Sequence, residues 1–140
     1  MGYCTKDDLL TMITQEELAE LTAEGGEVPD FLVVEEAINQ AGAEVDAYLG
    51  VRYQVPLTPT PAQVKALAVD LAIFHLYSRR SGAPPVRRER YEAAVRFLKD
   101  VGAGQAVIAG TSGEPISTER ERVEVSSAVR IFSRNTLGEW

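Results

Sequence analysis

Few residues of this chain could carry out chemistry, and their spacing does not bring them together. His75 is the only histidine and Cys4 the only cysteine among 140 residues. One histidine excludes a multi-histidine metal site, and one cysteine excludes an intramolecular disulfide framework or a multi-cysteine zinc site. Any Ser–His–Asp set would have to use His75. That residue lies inside the most apolar stretch of the chain, with Asp70 five residues away on a different helical face. A hydrogen-bonded core or interface histidine fits this setting better than a catalytic base. Cys4 would need an activating base to act as a nucleophile, and the sequence offers none beside it. The carboxylate pairs Glu16-Glu17 and Glu35-Glu36 diverge by about 100° around a helix axis, so they are solvated faces and not a general acid/base pair. Gly102-Ala103-Gly104 follows a helical pattern instead of a strand and lacks the further glycine of a dinucleotide loop. The residues therefore predict no catalytic site, no metal site and no cofactor.

Charge is the strongest local signal. Residues 79–99 hold Arg79, Arg80, Arg87, Arg88, Arg90, Arg96 and Lys99 against Glu89 and Glu92, a balance of +5. Phosphate binding is one reading. A surface that meets acidic groups of a neighbouring copy is the other, and an overall charge of −7 favours it. That total conceals a polarity. Residues 1–50 carry twelve acids and one base, a balance of −11, while residues 51–140 carry thirteen bases and nine acids, a balance of +4. Ends of opposite sign attract head to tail, although solvated helix faces of differing sign give the same count.

The elements that must position these residues read as helices. Thr5 and Thr14 cap two short helices, with Asp8 and Glu17 at the third position of each, and Gly25-Gly26 stops the second. Asp30 caps a long helix over Phe31–Leu49, in which Val34, Ala37, Ile38, Ala41, Val45 and Tyr48 form one buried stripe. Glu35, Asn39 and Asp46 lie off that stripe and should face water. The small run Ala41-Gly42-Ala43 predicts close approach of another helix, and Gly50 a left-handed cap. Pro56, Pro59 and Pro61 hold residues 51–60 extended. A helix over Pro61–Arg79, capped by Thr60, is apolar nearly all round and should be central. The last helix, about Val86–Val101, buries Tyr91, Ala94, Val95, Leu98 and Val101. On its wet face Arg88, Glu92, Arg96 and Asp100 alternate in sign at i, i+4.

The expected fold class is thus mainly α: a single small bundle of four to five helices over residues 1–103. A Gly-rich linker and an extended C-terminal arm or β-hairpin follow over 104–140. Val123-Glu124-Val125 and Val129-Arg130-Ile131-Phe132 alternate as strands do, and the arm's Ile131, Phe132, Leu137 and Trp140 want a partner surface. The composition, 45% apolar and 25% charged, is that of a soluble globular domain. No apolar run reaches membrane-spanning length, no signal peptide opens the chain, and Lys6 spoils a myristoylation motif at Gly2. The default expectation is a protein of a reducing cytoplasm.

Several fragments in order resemble the Mu-like prophage small head and neck proteins. They are residues 1–10, Glu17-Leu18 with Leu21-Thr22, Ala43 to Leu49, Arg52-Tyr53, Val55-Pro56-Leu57, Ala68 to Ala72 and Leu76-Tyr77. The Arg79-Arg80 helix end follows, and Arg130-Ile131-Phe132-Ser133-Arg134-Asn135-Thr136-Leu137 is the most specific piece. The resemblance implies a tailed-phage head–tail connector or neck adaptor, a helical protein assembled as a ring between portal and tail. It carries no catalytic motif over and implies no enzyme and no small-molecule substrate. Expected partners are copies of the chain itself, portal and tail or neck proteins, and DNA passing transiently through the lumen. The expected location is the neck of the virion, with the host cytoplasm before assembly. The expected interface residues are Arg79, Arg80, Arg87, Arg88, Arg130, Phe132, Arg134 and Trp140. The rival readings are a small nucleic-acid-binding module using the Arg79–Lys99 cluster and a small hydrolase built on His75 or Cys4.

Overall fold

The computed structural model describes residues 2–25, 27–80 and 82–109. Five helices follow one another: α1 (Lys6–Leu10), α2 (Gln15–Thr22), α3 (Phe31–Leu49), α4 (Ala62–Ser78) and α5 (Pro85–Gly102). The expected mainly helical bundle is what forms. The arm over residues 110–140 lies outside the described residues, as do Arg130, Phe132, Arg134 and Trp140.

Each of the first three helices starts where its cap predicts. Thr5 takes the Asp8 N–H while the Asp8 carboxylate takes the Thr5 N–H, a closed capping box. Thr14 caps α2 through the Glu17 N–H, and Asp30 caps α3 through the Leu32 N–H.

The helix ends depart from expectation in specific ways. Helix α2 stops at Thr22, ahead of Gly25-Gly26. The buried Thr22 hydroxyl donates to Leu18 O (2.8 Å) and accepts the Asp30 N–H (2.9 Å), which draws the chain into α3. Gly50 is not a left-handed cap, since its φ of −61° is right-handed and the chain turns on through Tyr53 N–H to Leu49 O. The left-handed glycines among the described residues are Gly82, at φ +92° beyond α4, and Gly104, at φ +84° just beyond α5 and against the Arg52 side chain. Thr60 does not cap α4. Pro61 is extended, with ψ 146°, and takes the cap position itself, so the helix begins one residue later.

Packing follows from hydrophobic pattern. Helix α4 buries Val64, Ala68, Val69, Leu71, Ala72, Ile73 and Leu76 and touches all four other helices. Helix α3 does the same with Val34, Ala37, Ile38, Ala41, Gly42, Val45 and Leu49, so it shares the centre. Helix α5 closes the other side with Ala94, Leu98 and Val101. The short N-terminal helices lie across α3 and α4 and contribute Leu9, Leu18 and Leu21. Past α5 the chain stays on the bundle: Ile108 is fully buried, and its N–H reaches the Tyr53 hydroxyl at 3.4 Å.

Leu76 sits in the middle of this packing with no exposed surface. Leu76→Ala should cost about 3 kcal/mol in urea unfolding, whereas Leu32→Ala, at a position 78% exposed, should stay within about 0.5 kcal/mol of the parent. Equal midpoints for the two variants would contradict this placement of the core.

Candidate functional site

The basic cluster begins at the C-terminal end of α4. Helix α2 has no basic residue in its last turn, so its terminal carbonyls need donors from elsewhere. Arg79 and Arg80 supply them. The Arg79 guanidinium donates to Leu21 O at 3.1 Å, and Arg80 donates to Ala23 O at 2.6 Å. Arg87, at the start of α5, donates to Met12 O at 3.2 Å, just after α1. Arg90 pairs with Asp70 at 2.9 Å. Three of the expected interface arginines thus hold the chain's own N-terminal helices. Arg88, Arg96 and Lys99 remain exposed on the outer side of α5. Among the described residues no salt bridge joins the members of the Arg88–Asp100 ladder.

The acidic half sorts in the same manner. Asp8, Glu17, Glu44 and Asp46 turn toward the bundle and find partners. Asp8 pairs with Lys65 at 3.2 Å. Glu17 accepts the Tyr77 hydroxyl. Asp46, expected to face water, is half-buried and accepts the Tyr3 hydroxyl, whose oxygen also accepts the Leu57 N–H at 3.0 Å. Glu44 takes two donors. The His75 Nε2 lies 2.8 Å from one carboxylate oxygen and the Tyr91 hydroxyl 2.9 Å from the other. The Tyr91 ring stacks on Phe74, centroids 3.9 Å apart. This node ties α3, α4 and α5 together and gives His75 the hydrogen-bonded structural setting expected of it. Glu16, Glu20, Glu24, Glu27, Glu35 and Glu36 stay exposed on α2, the α2–α3 connection and the start of α3.

The inward acids were the functional groups hardest to find from the sequence. Glu44 is three residues past buried Ala41, at the border of the stripe, and that position was its only signal. Tyr3, Tyr77 and Tyr91 are each pushed up to about 12, by burial first and then by the carboxylate each one faces. They keep their protons and serve as donors. Burial pushes the Cys4 thiol up to about 12 as well, and Asp8 adds to the shift, so the thiolate a nucleophile needs does not form near neutral pH. Among the described residues no three His, Cys, Asp or Glu side chains are placed to hold a metal ion. No helix among the described residues is long and apolar enough to cross a membrane.

The arrangement is suited to binding: an acidic outward surface on α2 and the start of α3, and a mixed row on α5 in which cations outnumber acids, on a bundle whose inward charges are paired. Comparison with known proteins agrees with the fragments noted in the sequence. The family model described as "Bacteriophage Mu, Gp36" matches residues 3–127. Gene product J of Escherichia phage Mu is 34% identical over 143 aligned positions that cover 99% of each chain. The Mu-like prophage FluMu protein gp36 of Haemophilus influenzae is 35% identical over 104 residues, covering 74% of this chain and 72% of its own.

Asp8 gives the N-terminal clamp a pH dependence. Its slight burial raises its carboxyl, but the Thr5 N–H, Lys65 and the Thr5 hydroxyl outweigh that and hold it below the ordinary 3.8. A depressed carboxylate stabilises the fold above its unfolded value, and the effect is lost as pH falls through the folded value. Asp8→Asn should therefore unfold more easily than the parent at pH 7, and the gap should close as pH drops below about 3.8. A gap that persists at pH 2 in urea titrations would show that the carboxylate charge is not its source.

Proposed function

The chain belongs to the bacteriophage Mu Gp36 family, and from that premise we propose that it is a virion assembly protein, a head–tail connector or neck adaptor that acts by binding in a ring. The observation that carries this reading is the outward charge polarity. Exposed acids line α2 and the start of α3, while on α5 exposed Arg88, Arg96 and Lys99 outnumber exposed Glu89 and Glu92. Two different complementary patches on one molecule make a heterologous contact, and such contacts close into a ring when the rotation between neighbours permits. In this scheme the acidic surface of one copy meets the α5 face of the next. Arg79, Arg80 and Arg87 contribute indirectly, by fixing the helices that carry the acids. The C-terminal arm with Phe132 and Trp140 docks on a neighbour or on the portal. Acids facing the lumen would repel DNA phosphates and let the genome pass. The protein in this reading is not an enzyme and resides in the neck of the virion.

The nucleic-acid module is the weaker reading, because three arginines of its cluster are bonded to carbonyls of their own chain.

Arg88→Glu combined with Arg96→Glu should lower incorporation of the protein into particles about tenfold, and Glu20→Lys with Glu24→Lys should restore part of it. Unchanged incorporation would refute the polar contact. Deleting residues 126–140 should abolish tail joining, and a normal titre of infectious particles would contradict arm docking. Purified protein that binds DNA with an affinity falling steeply in salt would instead support the nucleic-acid reading.

A further inference from the structure

Two of the surface grooves are lined by described residues alone. One, of about 350 Å³, lies between α1, α4 and α5, and its charges are already spent in the Asp8–Lys65 and Arg90–Asp70 pairs. The other, of about 370 Å³, runs between residues 2–6 and the first half of α3. Cys4, Val34 and Ile38 make its floor, Phe31 one wall, and Glu35 and Asn39 its rim. The opposite wall is held very close: a Cβ on Gly2 would lie 2.4 Å from the Ile38 side chain. Leu32 and Val28, close in sequence to Phe31 of the groove, are 78% and 66% exposed. Exposed apolar surface of this kind, rimmed by polar groups, marks an interaction site.

We propose that in the free chain this groove is occupied by the protein's own C-terminal segment, residues 129–137, with Phe132 in the groove and Arg130 or Arg134 against Glu35. Charge complementarity is the first support. Residues 27–36 hold four exposed acids and no base, while Arg130 and Arg134 are the charges between Glu124 and Glu139. Lys6, the one cation lining the groove, lies over the Phe31 ring at 4.3 Å. Chain path is the second. The chain leaves the described bundle just past Ile108, whose N–H meets Tyr53. Four residues on from Tyr53, the Leu57 N–H meets the hydroxyl of Tyr3, and Tyr3 lies between Gly2 and Cys4 of the groove. Twenty residues separate Ala109 from Arg130 and extend to about 65 Å, against about 28 Å for the whole of α3. Reach is therefore ample. A tether of this length presents the segment at an effective concentration near the millimolar range, well above that of a second copy in dilute solution. The inference concerns the free chain and stands apart from the ring reading.

The full-length protein bearing Asn39→Cys and Ser133→Cys tests it. Both positions are polar, Asn39 is exposed, and buried Cys4 is kept because its thiol stays protonated. The control bears Ala93→Cys, on the exposed side of α5, with Ser133→Cys. A mixture of light- and heavy-isotope protein at low micromolar concentration is oxidised and the linked peptides are weighed. The expected result is a disulfide between the two introduced thiols of the test variant within single chains, forming about tenfold faster than the control link and slowed by Phe132→Ala. Mixed-isotope links would overturn the inference and make a second copy the occupant. A rate equal to the control, or no link, would overturn the groove as the docking site. None of these outcomes depends on where the protein sits in a particle, so failure here and failure of the connector reading are separately visible.

Discussion

Beyond its first turn, where Gln63 and Lys65 face water, helix α4 is apolar on nearly every side, and the rest of the bundle follows from the need to cover it. Helices α3 and α5 take two sides. The remaining cover comes from α1 and α2, which at five and eight residues are far too short to persist alone. They form because Leu9, Leu18 and Leu21 complete the core, and because polar ties hold them there: Asp8 to Lys65, Glu17 to Tyr77, and the Arg79 and Arg80 guanidiniums on the last carbonyls of α2. The chemistry of the chain is largely consumed in that task. Its single histidine and three of its tyrosines are bonded to carboxylates of the bundle, and its single cysteine is buried.

Covering α4 also decides which charges face outward. A count along the chain assigns −11 to one half and +4 to the other, but the fold turns Asp8, Glu17, Glu44 and Asp46 inward and spends Arg79, Arg80, Arg87 and Arg90 on the chain itself. What remains outward among the described residues is an acidic surface on α2 and the start of α3 and, on α5, a shorter row in which Arg88, Arg96 and Lys99 outnumber Glu89 and Glu92. The polarity persists in three dimensions with fewer participants than the count suggests. In the connector role we propose, those remaining participants are the ones through which copies recognise one another.

Helix positions were legible because local signals set them. Thr5, Thr14 and Asp30 cap as their types demand, and the stripe from Val34 to Val45 fixes the buried side of α3. The apolar run after Pro61 announced a central helix for the same reason. Helix ends were less legible, since Thr22 stops α2 through a bond to Asp30 that no local pattern contains, and Pro61 displaces Thr60 from the cap of α4. The polar ties were hidden altogether. Tyr91 and Glu44 are 47 residues apart and Arg79 and Leu21 are 58 apart, so only the packing of helices brings them together. A row of arginines reads the same in sequence whether it faces a neighbour or caps a helix of its own chain.

We propose a ring-forming connector, and electron microscopy of purified particles carrying a labelled copy of the chain tests that role. A connector puts label in the neck alone, with several copies arranged around the axis between head and tail. Label spread over the capsid or along the tail, or absent from finished particles, would contradict it.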